Sequence, residues 1–367
     1  MKKLLPFLVS LLLLCSCASV GLPEGSDAVL PSDDSQNNLT IIPNPYKSLF
    51  GNGKNPWDME ISNGYLYVGA GDYDVNVSPK RLSRYSLAEQ TWQDCGDIPD
   101  EQIDRFLTLN GELYIPGTDP TGDWSMGNFY KLENNELKTY RTINGAVHCF
   151  DLELFDGKLF AAVGIKDGGF PVSVSEDGGN TFSRVAGKNK SGNDRFPAER
   201  CYDLFVLNET LYAIYSSTEV YRYNGSEFVF ECDWSSRYAK GYPFYTPIGA
   251  DAVFNGRFYF TSGYLFFCDN VNDLRYIIFE DAVVTDIAVY GDSLYALCSK
   301  KTENGYLIVL TKSLDGISFE SIYTLEYPMP AISFALNGNE LYLGIGDFES
   351  NGAVKGNILK TNVFKEQ

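Results

Sequence analysis

The feature that most constrains the fold is a sequence pattern that occurs seven times. Each copy has a β-branched or aromatic run, a turn that resembles Asn-Gly, and a second run. Asn-Gly favours the positive φ angles of a type I′ turn, so each copy predicts a β-hairpin. An aromatic residue recurs in the second run at intervals of 47, 46, 52, 47, 36 and 47 residues, at Tyr67, Tyr114, Phe160, Tyr212, Tyr259, Tyr295 and Tyr342.

Two further strand-like runs follow most hairpins, which makes four short strands in each repeat. Residues 39–367 are therefore predicted to form an all-β fold, a seven-bladed β-propeller of four-stranded antiparallel blades. A closed ring has to protect its strand edges. Because the last repeat is short after its hairpin, we expect Leu39–Ile42 to supply its outer strand. The alternatives fit less well, since a β-solenoid needs shorter repeats and two β-sandwiches need no sevenfold regularity.

The N-terminus predicts export and a lipid anchor. Lys2 and Lys3 precede an apolar run that ends at Leu14, which is too short to span a bilayer and is typical of a signal peptide. Cys17 follows a small residue in a string that resembles the bacterial lipobox, so residues 1–16 are predicted to be the signal peptide. Residues 17–38 are then the lipidated cysteine and a flexible tether, rich in Ser, Asp, Pro and Asn. The alternative is an ordinary secretory signal.

This anchor predicts a lipoprotein of the bacterial cell envelope, held by acyl chains such as palmitate at the outer membrane or cell surface. The bilayer is then its first partner. Acidic residues number 48 against 29 basic ones, a net charge of −19, which argues against nucleic acid as a partner. We expect a monomer. We also expect neither cofactor nor metal, because phosphate-binding loops, nucleophile elbows and C-x-x-C pairs are all missing from the sequence.

One turn motif carries a family resemblance. Ser175, Asp177, Gly179, Thr181 and Phe182 match the Asp-box pattern S-x-D-x-G-x-T-W/F, and residues 313–319 look like a shortened copy. The chain thus resembles the sialidase-like propellers with BNR repeats. In that family the box is a structural turn between the third and fourth strands of a blade, remote from the catalytic face. The resemblance supports a propeller over residues 40–365.

The same family suggests an enzymatic alternative, a sialidase-like glycoside hydrolase. Its members use an arginine triad, a Tyr–Glu nucleophile pair and an aspartic acid, with an Arg-Ile-Pro motif early in the fold. The string closest to that motif is Arg195-Phe196-Pro197, and the arginines to place are Arg105, Arg195, Arg200 and Arg237. Sialidases have six blades whereas seven hairpins occur here. The preferred hypothesis is therefore a non-catalytic module that binds a glycan, peptide or partner protein; a subunit of a larger envelope assembly is a third.

The predicted binding surface is the face that carries the long loops, because long loops on a rigid scaffold are the usual place for recognition. Aromatic side chains suit sugar or peptide ligands, and cationic ones add charge. The candidate binding residues are Trp124, Trp234, Tyr238, Tyr242, Tyr245, Arg195 and Arg200. The alternative is that the aromatic residues form a lid or pack between blades.

An aspartate opens most of the innermost strands and predicts a ring at the channel mouth: Asp58, Asp104, Asp151, Asp203, Asp251 and Asp286. Their offsets to the hairpin aromatic are 9, 10, 9, 9, 8 and 9 residues, so two are out of step, and a one-residue slip turns a side chain to the other face. Such a ring could hold a cation or an acid/base pair. The preferred interpretation is that each carboxylate caps backbone N–H groups of its own or a neighbouring blade.

The remaining chemistry-bearing residues give weaker indications. Cys149 and Cys201 are the first disulfide pair to test among six mature cysteines, although buried free thiols are favoured because most flanking residues are apolar. His148 is predicted to lie in the core or to line the channel. Alternating oxygen donors in residues 72–78 suggest a calcium loop, but the Gly and Glu of an EF-hand are missing.

Overall fold

The computed structural model describes residues 39–48, 55–71, 80–120, 125–166, 168–196, 200–236, 248–347 and 356–363. Every described residue belongs to the second of two units into which the chain divides, Pro31–Gln367. Within these ranges, no helix combines the length and apolar character that a membrane crossing requires. Several predictions lie outside the described residues: the signal peptide, Cys17, the tether, the loop of residues 72–78, Trp124, Arg237, Tyr238, Tyr242 and Tyr245.

The second unit is a seven-bladed β-propeller, as the repeats predict. It begins with β1 (Thr40–Ile42) and a 3-10 turn at Pro45–Ser48. Blade 1 contains β2 (Met59–Ser62), β3 (Tyr65–Val68), β4 (Lys80–Ser86) and β5 (Trp92–Ile98). Blade 2 contains β6 (Leu107–Leu109), β7 (Glu112–Pro116), β8 (Met126–Glu133) and β9 (Glu136–Asn144). Blade 3 contains β10 (Ala146–Phe155), β11 (Lys158–Ile165), β12 (Val172–Ser175) and β13 (Ser183–Arg184).

The remaining blades follow the same order along the chain. Blade 4 contains β14 (Ala186–Lys188), β15 (Cys201–Leu207), β16 (Thr210–Tyr215), β17 (Glu219–Tyr223) and β18 (Glu227–Asp233). Blade 5 contains β19 (Asp251–Phe254), β20 (Arg257–Thr261), β21 (Leu265–Cys268) and β22 (Arg275–Ile277). Blade 6 contains β23 (Val283–Tyr290), β24 (Ser293–Thr302), β25 (Gly305–Ser313) and β26 (Glu320–Tyr327). Blade 7 contains β27 (Ala331–Asn337), β28 (Glu340–Ile345), β29 (Ile358–Asn362) and β1.

The recurring aromatic residues explain why the repeat specifies a ring. Seven hydrophobic clusters fill the spaces between neighbouring blades, one at each interface. Each cluster contains or contacts the aromatic of the preceding blade's hairpin: Tyr67, Tyr114, Phe160, Tyr212, Tyr259, Tyr295 and Tyr342. A side chain at this position buries its ring against the next blade, so a blade cannot shield its apolar face without its neighbour.

The N-terminal strand closes the ring, as predicted. Strand β1 pairs antiparallel with β29, with Thr40 opposite Lys360 and Ile42 opposite Ile358, and so forms the outer strand of blade 7. On the other side of the junction, Ser333 Oγ donates to the carbonyl oxygen of Pro56 at 2.6 Å. Residues from both ends of the chain therefore complete the interface between blades 7 and 1, and the outer edge of β29 is covered.

The hairpin turns agree with the sequence in five blades and differ in two. In blades 1 to 5 both central residues have positive φ, as at Asn63 (51°) and Gly64 (79°), which is the type I′ geometry. In blades 6 and 7 only the first central residue has positive φ, Gly291 at 63° and Gly338 at 59°, which is the type II′ geometry.

The turns of these hairpins and the turns between third and fourth strands form one face of the propeller, which we call the hairpin face. The loop face holds the second-to-third-strand loops and the connections between blades.

One blade departs from the predicted four strands, and the cysteines follow the favoured prediction of free thiols. Blade 4 has a fifth strand, because β14 runs parallel to β18 and covers its outer edge. The six described cysteines are free thiols. Cys149 and Cys201 each contact the carbonyl oxygen of the aspartate two residues onward, at 3.7 and 3.5 Å, and burial raises the pKa of both thiols. The structure therefore has the free thiols that the sequence favoured, although only four of the six are buried, since Cys95 and Cys232 are partly exposed.

Candidate functional site

A cavity of about 480 Å³ lies at the centre of the propeller. Its wall is formed mainly by the innermost strands of blades 1, 2, 5, 6 and 7 and the residues just before them, whereas blades 3 and 4 contribute only Phe150 and Tyr202. The apolar and aromatic side chains include Trp57, Met59, Ile61, Ile248, Ile287 and Phe334. This volume falls within the range of roughly 300–1,000 Å³ that is usual for small-ligand pockets.

The described residues place the mouth of this cavity on the hairpin face. Toward the loop face the lining is buried or partly buried, with Gln102 at 2% exposure, Ile248 at 3% and Trp57 partly buried. Toward the hairpin face the lining becomes accessible, with Val289 at 41% and Tyr290 at 43%. We call Val289, Tyr290 and Asn337 the mouth. The predicted loop-face surface stays a prediction, because much of its long loops lies outside the described residues.

Acidic groups dominate the charge of the cavity wall. Its charged lining residues are five acids and one base, namely Asp58, Glu60, Asp104, Asp251, Asp286 and Arg105. Burial raises the pKa of Glu60 to about 7, with the nearby Asp58 carboxylate adding to the effect and the Thr108 hydroxyl, which donates to it at 3.1 Å, opposing it. Burial likewise raises the pKa values of Asp58 and Asp251 to about 6. Acids therefore outnumber the basic group of the wall by five to one, and burial disfavours their ionised form unless a positive charge lies beside them.

Arg105 is already engaged by carboxylates from three other blades. Its guanidinium lies 2.9 Å from Asp151 Oδ1 and 3.3 Å from Asp203 Oδ1, contacts Asp251 Oδ1, and donates to the Gly249 carbonyl oxygen at 2.9 Å. Burial alone would lower the pKa of Arg105, but the three carboxylates raise it well above its usual value. We call these four side chains the Arg105 cluster; it links blades 2, 3, 4 and 5 at the axis.

The six aspartates that were predicted to form a ring make different contacts and have different roles. Three members accept a backbone N–H from the next blade: Asp58 from Phe106 (2.6 Å), Asp151 from Leu204 (2.8 Å) and Asp286 from Phe334 (2.9 Å). These contacts follow the capping interpretation. Asp151 and Asp203 do not line the cavity, because they lie against the Arg105 guanidinium.

Asp104 is the member that departs most from the ring. It accepts hydrogen bonds from Thr118 Oγ1 and Gln102 Nε2, both at 3.0 Å, and Arg105 takes the repeat position instead. The offset of ten residues to Tyr114 already indicated this, since the position nine residues before Tyr114 is Arg105. Counting back from the hairpin aromatic would have found the residue that sequence reasoning placed only among the arginine candidates.

Three other candidates make contacts within the fold, and Trp234 and His148 are buried by them. Trp234 was predicted to bind, but it is 2% exposed, stacks on Phe260 and donates from Nε1 to the Val271 carbonyl oxygen at 2.7 Å, so it packs between blades 4 and 5. Arg200 lies over the Phe150 ring. His148 is buried in contact with the Thr118 carbonyl oxygen, and burial lowers its pKa to about 4, in line with the predicted core position.

The three described arginine candidates, Arg105, Arg195 and Arg200, do not form the triad that the sialidase resemblance implies. Of the described candidates, Arg105 alone lines the cavity. Arg195 is exposed in a connection of the loop face, where its backbone N–H donates to Asn193 Oδ1 at 3.0 Å. The described part of the chain also contains no group of three His, Cys, Asp or Glu side chains positioned to hold a metal ion.

The Asp-box string forms a compact turn between β12 and β13, and none of its residues lines the cavity. Asp177 Oδ1 accepts from Ser175 Oγ at 2.7 Å and from the Thr181 N–H at 2.9 Å, while Ser175 Oγ accepts the Gly179 N–H at 2.8 Å. Phe182 packs edge-on against Phe129 of blade 2. The shorter copy uses Asp315 and Ser313 in the same way between β25 and β26. Both turns lie where the pattern predicts a strand connection.

Comparisons with known proteins concern the fold. No protein-family model matches the chain, and no curated protein matches it. A chain in the crystal structure of a mitotic checkpoint complex is similar at a TM-score of 0.56 and 9% identity, with 99% of each chain covered. YCF48 from Cyanidioschyzon merolae is similar at a TM-score of 0.50 and 11% identity, covering 89% of this chain and 98% of that one. At these identities, the likeness supports a β-propeller, a fold compatible with a binding or interaction module.

Proposed function

We propose that this chain is a lipoprotein of the bacterial cell envelope whose propeller is a non-catalytic binding module, with the central cavity as its ligand site. The observation that carries the proposal is the cavity of about 480 Å³, which opens among the exposed residues of the hairpin face. Its wall is rigid, because Asp58 and Asp286 are fixed by backbone N–H groups and Arg105 by three carboxylates. A rigid, largely preformed wall suits recognition of a small molecule or of one side chain of a larger partner.

A screen for binding and turnover tests this function. The full chain, purified in detergent, is applied to a glycan array, a peptide array and a panel of fluorogenic glycosides. We expect saturable binding of at least one compound class without turnover. Val289→Trp, which places a larger side chain at the mouth, should weaken that binding at least about tenfold by steric exclusion. Leu314→Trp is the control, because Leu314 is 62% exposed and does not line the cavity. Hydrolysis of a glycoside, or equal effects of the two variants, would contradict the proposal.

The lipid anchor has a test of its own. In cells fed a clickable palmitate analogue, we expect the wild-type chain to be labelled and to sediment with membranes. Cys17→Ala should lose the label and release the protein, since the acyl chains supply the membrane affinity. Cys15→Ala removes the neighbouring cysteine and should keep both properties. Labelling of Cys17→Ala at the wild-type level would show that the anchor lies elsewhere or does not exist.

A further inference from the structure

The cavity wall has a surplus of hydrogen-bond acceptors and of acidic groups. Five carboxyl side chains line it, and the single guanidinium on the wall already has three carboxylate partners and a carbonyl partner. Gln102 also belongs to the lining and is 2% exposed; its Nε2 donates to Asp104, while its Oε1 accepts no hydrogen bond. A buried acceptor without a donor costs free energy, and so does a set of desolvated like charges. A ligand that donates hydrogen bonds and carries positive charge offsets both.

The distribution of these acids distinguishes between kinds of cation. They come from blades 1, 2, 5 and 6, and the described residues offer no group of three that converges on a metal ion. Apolar and aromatic side chains lie between them, among them Trp57, Ile287 and Phe334. A bare metal ion gains nothing from such surfaces, whereas an organic cation buries its stem against them and directs its N–H donors to the carboxylates.

The mouth fits the same type of ligand. Val289 and Tyr290 are exposed and apolar or aromatic, and Glu60 lies farther inside on blade 1. Glu60 is held more weakly than its neighbours, since a hydroxyl, that of Thr108, donates to it, whereas Asp58 and Asp286 accept backbone N–H groups. A cation that enters past the mouth therefore reaches a carboxylate that can turn toward it.

Resting on the proposed function, we propose that the cavity takes an organic cation, an alkylammonium or guanidinium group carried on an apolar stem that enters from the hairpin face. Such a group comes from a free small amine or from the side chain of a peptide. The chemistry of the site is the same for both sources, so the test includes an arm for each.

Isothermal titration with the full chain in detergent compares matched probes. The free-amine arm uses 1-aminohexane against neutral 1-hexanol, and the peptide arm uses a blocked Gly-Lys-Gly tripeptide against its acetyl-lysine form. We expect the charged member of at least one pair to bind at least about tenfold more tightly, because a charge-assisted hydrogen bond replaces a neutral contact. Binding in one arm alone identifies the source. Equal affinity for charged and neutral members in both arms, or no binding in either, overturns the inference.

Variants locate the binding. Glu60→Gln keeps the shape and an acceptor for Thr108 but removes the charge, and it should weaken the charged probe about tenfold. Glu320→Gln removes the same charge from an exposed position on β26 and should leave the affinity unchanged. Equal effects of the two variants would mean that only the net charge of the chain matters. A different result would separate this inference from the proposed function. If neutral sugars bind, Val289→Trp prevents their binding and amines do not bind, the proposed binding function is supported but the organic cation is the wrong ligand class.

The pH dependence gives an independent readout. Because burial raises the pKa of Glu60 to about 7, Glu60 is mostly neutral at pH 6 and mostly ionised at pH 8. The probes stay protonated over this range, so affinity should increase as pH rises from 6 to 8. The neighbouring Asp58, Asp286 and Asp251 also face the cavity, and those with pKa values near 6 ionise earlier in the same rise. Glu60→Gln should therefore flatten the upper part of the profile; a profile that falls with pH contradicts the inference.

Discussion

Replacing Arg105 with methionine should destabilise the propeller by about 3–5 kcal/mol at pH 7, because it leaves buried charges without a partner. The guanidinium lies against Asp151, Asp203 and Asp251, and its side chain is only 13% exposed. Methionine keeps an unbranched apolar stem and lacks the guanidinium, so the packing around the stem changes little. The loss then comes from three desolvated carboxylates that repel one another. Chemical denaturation followed by fluorescence measures the free energy of unfolding.

A matched surface arginine separates this effect from the loss of any ion pair. Arg81 lies 2.9 Å from Asp94 and 3.5 Å from Asp97, but its side chain is 52% exposed. Arg81→Met should cost less than about 1 kcal/mol, since water and salt screen exposed pairs. The deficit of Arg105→Met should also shrink toward pH 4, because burial raises the pKa of Asp203 and protonation removes the repulsion. Similar losses in the two variants would refute a special role for the Arg105 cluster.

The repeat made the fold predictable because each structural requirement recurs with it. The hairpin aromatic has to cover the next blade, the turn needs positive φ, and both requirements leave a residue signature in every copy. Ring closure by β1 followed from the short last repeat. By contrast, β14 is a three-residue strand in a blade connection, and its parallel pairing to β18 depends on an edge that only the assembled blade presents.

The site was harder to predict because it is made by positions that break the repeat. Arg105 stands where blades 1, 3, 4 and 6 have an aspartate, and its partners lie 46 to 146 residues away in the chain. Loop length predicted a surface on the loop face, yet the described cavity opens on the opposite side, where the turns are tight. Short turns leave the cavity uncovered at the axis. This opening depends on how all the blades are arranged in the ring, so it could not be predicted from any single segment of the sequence. Trp234 lies in a long connection and was predicted to bind a ligand, but its side chain packs in the interface between blades 4 and 5.

The second large effect concerns ring closure. Ile42 is 3% exposed and packs at the interface of blades 7 and 1, in a cluster that also holds Tyr46, Met59 and Ile358. Ile42→Ala should cost about 2–5 kcal/mol, as for other buried aliphatic truncations. Ile41 is its natural control, because it lies on the same strand with its side chain 54% exposed. Ile41→Ala should stay within about 0.5 kcal/mol of the wild type.

The role of β1 in closing the ring also predicts which strands lose stability first in Ile42→Ala. Strand β1 pairs with β29, while Tyr46 donates from its hydroxyl to the Val68 carbonyl oxygen of blade 1 at 2.7 Å. The segment thus connects the last blade to the first, and loosening it exposes an edge on β29 before any other blade opens. Hydrogen exchange in Ile42→Ala should therefore accelerate first at amides of β29 and β28, and later in blades 3 to 5. Uniform acceleration through all blades would mean that the ring unfolds as one unit and that β1 is not the weakest junction.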